Sequence, residues 1–331
     1  MNHDIHQGGG RAARTRRRDR LRLADPLLWT AAAGAALAVA YLVAVVLTRD
    51  LNQLRVDRLA GAALLGGGDL YAGPVNVGRA RLQLYFTEPP FAAVPSAGLA
   101  LLSWPLAKAV TAVVSGLAVL GCTLLLAGQV GRSRQGAAMP GLSANARWRL
   151  ALFLVPVALL LDPVWGTVAL GQPYLVLVAL LLLDGSDVLP PRLRGVLTGL
   201  AVGLQPLNVV FVAGQLLNRR WRQAATAALT AVATVGVGWL LAPAGTAAYF
   251  GRHLFELSRG GEPSRIDNQS LYGLASRMAE RSTALPLWAV LAALTLALTA
   301  AAAHRAHRAD QPLLATARSA VRSARRAGAA A

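Results

Sequence analysis

Leu27–Thr48 reads LLWTAAAGAALAVAYLVAVVLT, 22 residues without a charge. At 1.5 Å rise per residue, roughly 20 apolar residues cross the hydrocarbon core of a bilayer. The run is not alone, for Pro105 to Val130 carries only Lys108. Over 331 residues the chain is 55% hydrophobic and 15% charged, where a soluble domain holds about 25% charged residues. Apolar residues gathered in blocks of this length exceed what one soluble core buries. The bilayer is therefore the solvent, and the sequence predicts an all-α polytopic membrane protein with about seven to nine membrane helices, some short or re-entrant, and two outer loops.

Arginine sets the orientation. Of the 33 basic residues only Lys108 is lysine. Segments 1–26, 130–149, 184–195, 218–222 and 304–331 hold 22 of them, and segments 49–90 and 243–285 hold 10. Acidic residues lean the other way, 6 against 8 in the same segments, with Asp162 a ninth on the outer side. Arginine-rich flanks stay in the cytoplasm, so both termini are expected inside and the two long loops outside. The expected parts are a basic tail (1–26), a membrane domain (27–303) and a second basic tail (304–331). The basic start followed by a run long enough to span reads as a retained signal anchor in the cytoplasmic membrane. Residues 91–104 and 195–217 are interrupted by Pro95, Pro105 and Pro206. They read as broken helices, tolerated where they line a cavity.

The net charge of +18 does not point to nucleic acid, because the arginines punctuate apolar spans instead of clustering on a polar surface. Cys122 is the one cysteine, so neither an internal disulfide nor a thiolate metal site follows. Neither a metal nor a cofactor motif is evident.

The polar residues of the outer loops carry what chemistry there is. Asp50, Gln53 and Asp57 fall at i, i+3 and i+7, on one face if the stretch is helical. They read either as general bases facing a pocket or as solvated acids beside Arg49, Arg55 and Arg58; spacing alone favours the second. Glu88 stands beside Pro89–Pro90, where the chain turns back toward the membrane. Arg252, His253, Arg259 and Arg265 are cations suited to a phosphate. Asn268, Gln269 and Ser270 suit sugar hydroxyls or the cap of a helix starting at Leu271. Gln172 and Gln205 sit at helix breaks, where amides ordinarily satisfy freed backbone groups.

Taken in order, these segments resemble glycosyltransferase family 87, bacterial membrane enzymes of the GT-C type that take mannose from polyprenyl phosphate mannose. The motifs are NQSLYG (Asn268–Gly273) preceded by Arg259 and Gly260, then FT-PPFAA (Phe86–Ala93) with Glu88 in place of the family's Tyr. LLGGGDLY (Leu64–Tyr71), Gly171–Gln172, RGVLTGLA (Arg194–Ala201) and NRRWR (Asn218–Arg222) add to them. The resemblance implies a GT-C-like bundle, a lipid-linked sugar donor, a glycolipid acceptor, and catalysis from the first outer loop with Asp57 or Asp50. It also implies substrate contacts from Gln53, Glu88, Gln172, Gln205, His253, Arg259, Arg265, Asn268, Gln269 and Ser270. Gln53 falls where the family's pattern has Asp, Asp57 where it has Tyr, Gln205 where it has Lys, and Tyr174 where it has Asn. One or more final spans of the family pattern are not expected in this chain. Two functions follow: a transferase whose base has moved one turn to Asp57, or an inactive homologue that binds lipid-linked glycan or a partner enzyme.

Overall fold

The computed structural model describes residues 26–77, 82–129, 143–186, 188–256, 259, 262–265, 268, 270–280, 282–298 and 301. The chain forms two compact units, Met1–Arg259 and Gly260–Ala331. In the first, the order is α1 (Pro26–Thr48), α2 (Asn52–Leu65), a hairpin of β1 (Val75–Val77) and β2 (Leu82–Leu84), α3 (Ala93–Ala100), α4 (Trp104–Gln129) and α5 (Ala144–Leu159). There follow α6 (Asp162–Leu170), α7 (Tyr174–Gly185), α8 (Val196–Leu204), α9 (Val209–Leu217), α10 (Trp221–Leu241) and α11 (Pro243–Gly251). The second unit holds α12 (Leu271–Met278) and α13 (Ser282–Leu298).

Helix α4 over Trp104–Gly128 and helix α10 are each long and apolar enough to cross a membrane. The pairs α1–α2 and α5–α6 qualify if each bent pair counts as one crossing, which makes up to four among the described residues. Composition and these helices together are those of an all-α membrane protein; the shorter apolar helices include α7, the α9 segment and α13.

The bends have local causes. Leu51 sits in the left-handed region at φ 44° between α1 and α2, and the axis turns by 63°. A non-glycine residue there costs about 1–2 kcal/mol, which its burial beside Leu54, Val45 and Val46 offsets. Gly171, at φ +73°, packs against the pair, and a Cβ there would lie 2.9 Å from the Cβ of Leu54. Between α5 and α6 the axis turns by 72°, since Pro163 has no N–H to continue the α5 ladder. Pro206 breaks α8 from α9 in the same way, as the sequence implies, and Gln205 is extended there. The Ala201 carbonyl accepts the Gln205 N–H at 2.9 Å and, as a second bond, Asn208 Nδ2 at 3.0 Å.

Two close packings fix the frame. Gly61 of α2 lies so near α3 that a Cβ would sit 2.3 Å from the backbone carbon of Ser96. Gly199 and Gly203 let α8 lie on α10, where added Cβ atoms would meet the Ala227 carbonyl at 2.4 Å and the Thr234 hydroxyl at 2.2 Å. Small residues at such spacing let helix backbones approach without a hydrophobic drive between them.

Candidate active site

Beyond the 63° bend α2 packs along α3 and meets the end of α6 at Leu54, and its polar face is no longer a loop surface. Gln53 and Asp57 do share that face: Gln53 Nε2 donates to Asp57 Oδ1 at 2.9 Å. Asp50 does not, because the helix begins at Asn52, after the left-handed Leu51, and Asp50 stands exposed outside it. The expected three-residue face is thus a two-residue one.

Asp57 is buried and lines a cavity of about 300 Å³. Glu88, Gln172, Tyr174 and Gln205 line the same cavity. Four expected site residues, at positions 57, 88, 172 and 205, thereby come together from four separate elements. Most of the remaining wall is aliphatic, with Ser96, Thr111 and Ser115 adding hydroxyls. Such a lining, apolar with a few convergent polar groups, is the usual make-up of a small-molecule site. Of these, Ser96, Thr111 and Ser115 carry no site signal in the sequence, and Tyr174 enters it only as the residue standing where the family pattern has Asn.

Neither amide is consumed by the backbone. At the Pro206 break the side-chain amide that bonds the backbone is that of Asn208, whose Nδ2 donates to Ala201 O. The Gln172 backbone N–H continues the turn, bonding Thr167 O at 2.9 Å, which leaves its side chain to the cavity.

Glu88 is buried, and burial raises its carboxyl pKa above the ordinary range, although the Thr87 N–H donates to Oε2 at 3.1 Å and opposes the shift. The chain at Glu88 is pinned by Tyr71, whose hydroxyl donates to the Glu88 carbonyl at 2.8 Å. Burial drives the Tyr71 phenol far up, so it remains a neutral donor. Tyr249 stacks on Tyr71 at 6.0 Å, its phenol pushed up to about 12 by burial and then by Glu88.

Tyr71 also leads to a cationic cluster. His253 lies 4.8 Å from the Tyr71 ring. His253 Nδ1 is 2.8 Å from both Glu256 Oε2 and Arg259 Nη1, and donates to the first or accepts from the second according to its tautomer. Hydrogen bonds from His253, then Arg252, hold the Glu256 carboxyl down at about 2. Arg259 stacks on Tyr85 at 4.9 Å and donates to the Tyr71 carbonyl at 3.4 Å, while its Nε is buried without a partner. Three of the four expected cations, Arg252, His253 and Arg259, are therefore joined, through an acid the sequence reading assigned no role.

In the second unit Ser270 caps α12, accepting from the Gly273 N–H at 3.0 Å. Asn268 Oδ1 accepts from the Ser270 hydroxyl at 2.7 Å, and its Nδ2 donates to Pro263 O at 2.9 Å. The Arg265 carbonyl accepts from Arg277 at 2.9 Å. Gln269 lies outside the described residues.

Comparison with known proteins shows the family. The family model described as glycosyltransferase family 87 matches residues 86–323. A polyprenol-phosphate-mannose-dependent alpha-(1-2)-phosphatidylinositol mannoside mannosyltransferase of Mycolicibacterium smegmatis is 33% identical over 262 residues, 78% of this chain and 59% of the relative. The protein of the same description from Mycobacterium tuberculosis is 31% identical over 263 residues, 78% of this chain and 60% of the relative. A phosphatidylinositol pentamannoside mannosyltransferase of M. smegmatis with the same donor is 31% identical over 261 residues, again 78% of this chain and 60% of the relative. The chain thus spans about three-fifths of the length of these relatives. No solved structure matches. With motifs, helical frame and family match in agreement, the chain belongs to glycosyltransferase family 87.

Proposed function

We propose that this protein is a membrane mannosyltransferase that moves mannose from polyprenyl phosphate mannose to a glycolipid or lipid-linked glycan on the outer face of the bacterial cytoplasmic membrane. The observation that carries the reading is the convergence of Asp57, Glu88, Gln172 and Gln205 on one cavity of about 300 Å³. A drifted site has no reason to keep buried acids, since an unpaired carboxylate is costly to bury. Gln53, an amide, has no useful basicity; Asp57 one turn on has it, and Gln53 holds its orientation.

In the step proposed, an acceptor hydroxyl oxygen attacks the anomeric carbon of mannose and Asp57 takes its proton. The bond from the anomeric carbon to the phosphate oxygen breaks, its electron pair leaves with polyprenyl phosphate, and the configuration inverts. Arg259, with His253 beside it, meets the charge that develops on the leaving phosphate. Glu88, Gln172 and Gln205 position the sugar. The arginine distribution supports the outer face and both termini in the cytoplasm.

The test is transfer of labelled mannose from polyprenyl phosphate mannose to membrane lipids, with the protein and with Asp57→Asn. A labelled glycolipid that disappears in the variant is expected. An Asp57→Asn protein with normal transfer would remove Asp57 as base. No product from correctly inserted wild-type protein would overturn the transferase in favour of a homologue that only binds its glycolipid.

A further inference from the structure

A second cavity of about 300 Å³ lies against α2, lined by Arg55, Arg58, Leu59, Asn76 and Trp104 among others. Positions 55 and 58 are neighbours on a helix surface, whereas 55 and 57 point about 200° apart at 3.6 residues per turn. The one helix thus presents an acid to the transfer cavity and two guanidinium groups to this one.

The cations gather on a single indole. Arg55 stands 4.4 Å above the Trp104 ring, Arg58 5.5 Å and Lys108 Nζ 5.9 Å from it. Arg58 is tethered, its Nε donating to Leu99 O at 3.0 Å and its Nη2 to Ala100 O at 3.4 Å. Lys108 donates to Leu47 O and Arg49 O, closing the end of α1. Arg55 is exposed and makes one hydrogen bond, to the Asp50 carbonyl at 3.3 Å. Among the described residues no carboxylate pairs with Arg49, Arg55, Arg58 or Lys108. Asp50 and Asp57 are the acids close in sequence, Asp57 lining the transfer cavity, so four cations face two acids and the local balance stays positive.

The cluster also stands where apolar helices end. Arg49 follows the last residue of α1, and Trp104 is the first residue of α4. Tryptophan and arginine at the ends of apolar spans mark the headgroup level of a bilayer. The rest of the lining is aliphatic: Leu59, 51% exposed, with Ala62, Val75 and Ala100. Unneutralised guanidinium groups, an amide, an indole and an aliphatic rim fit one kind of occupant, an anionic phosphate head on a lipid tail.

We propose that the Arg55–Arg58–Trp104 pocket binds the phosphodiester headgroup of an anionic phospholipid, at a site separate from the transfer cavity. Arg55 and Asn76 meet the phosphate, Trp104 flanks it, and the acyl chains lie over Leu59. Arg58 holds the pocket's wall to the end of α3.

Purified protein in a neutral detergent is titrated with dioleoylphosphatidylglycerol, dioleoylphosphatidylcholine or inorganic phosphate, read by thermal unfolding and by lipid retention in native mass spectrometry. Phosphatidylglycerol is expected to raise Tm and be retained as one tightly held lipid, and phosphatidylcholine to do neither. Arg55→Gln and Asn76→Ala, both at exposed positions, are expected to weaken retention, Arg55→Gln by about tenfold, as loss of a charge-assisted contact implies. Arg222→Gln, an exposed cation elsewhere, is the control and is expected to change nothing. Equal retention of the two lipids would overturn the proposal, as would unchanged retention in Arg55→Gln and Asn76→Ala. An equal response to inorganic phosphate with no lipid retained would also overturn it, leaving a site for free anion.

Discussion

Two regions of the first unit bury carboxylates, and they treat them in opposite ways. At the end of α7, Asp184 is 1% exposed. It accepts from the Gly195 N–H at 2.8 and 3.0 Å, from the Thr198 hydroxyl at 2.6 Å and from Gln223 Nε2 at 3.3 Å. Those donors surround the first turn of α8, where a negative charge is favoured by the helix dipole. At the cavity, Asp57 has the Gln53 amide and Glu88 the Thr87 N–H. An acid whose lone pairs are all spent on its neighbours is holding a fold together. Acids left with spare valence, facing a space, are available to a substrate. Burial alone does not separate the two; the count of donors does.

The most severe way to break this comparison is to delete the acids one at a time. Asp57→Ala is expected to lower mannose transfer by about a hundredfold or more, the scale of a lost general base, without a fall in Tm. Asp184→Ala is expected to do the reverse. It strands buried donors, costing about 1–3 kcal/mol per orphaned group, and is checked by thermal unfolding in the same detergent. A matching loss of Tm in both variants would dissolve the distinction.

Next in size, Gly199→Val forces a side chain into the Ala227 backbone and is expected to cost about 1–3 kcal/mol or more from overpacking. This reads out whether α8, which carries the Thr198 partner of Asp184, depends on its seat against α10.

A smaller effect concerns pH. Burial raises the folded pKa of Glu88, so over that window the folded state binds more protons than the unfolded one. Its contribution to stability is therefore highest at acid pH and falls as pH climbs from the ordinary carboxylate range to the folded pKa. Glu88→Gln is expected to raise Tm near pH 7, and the gain is expected to vanish below about pH 4, where both states are protonated. Smallest of all is Arg252→Gln. Arg252 pairs with Glu256 at 2.6 Å but is 77% exposed, and a surface pair contributes about 0–1 kcal/mol. A large change there would mean that the His253–Arg259 cluster depends on its outermost member.

Much of the frame was legible because apolar runs and prolines act locally. The run at Leu27–Thr48 is α1, and Pro206 breaks the chain where its missing N–H requires. The candidate cavity was legible only as scattered residues: helical spacing joins Gln53 to Asp57, but nothing local joins position 57 to 88, 172 and 205. Asp50 was misplaced because a leucine in a left-handed turn leaves no composition signal. Asp184 closes an apolar run ahead of an arginine-rich stretch and reads as a solvated inner-loop acid. Its burial comes from Gly195, Thr198 and Gln223, 11, 14 and 39 positions on. The hairpin at Val75–Val77 and Leu82–Leu84 was folded into a loop, since strands of three residues are too short for alternation to show.

Gly61 bears on how mutants of this protein will be interpreted. Its Cα rests against the backbone of Ser96 and Ala97, one turn along α2 from Asp57. Any larger residue there levers α2, and the acid with it, away from the arm that bears Glu88. In a genetic screen for loss of glycolipid, alleles at position 61 will score beside those at position 57, although a glycine has no proton to take and no sugar to hold. Only a physical assay of the recovered protein will separate the lever from the base.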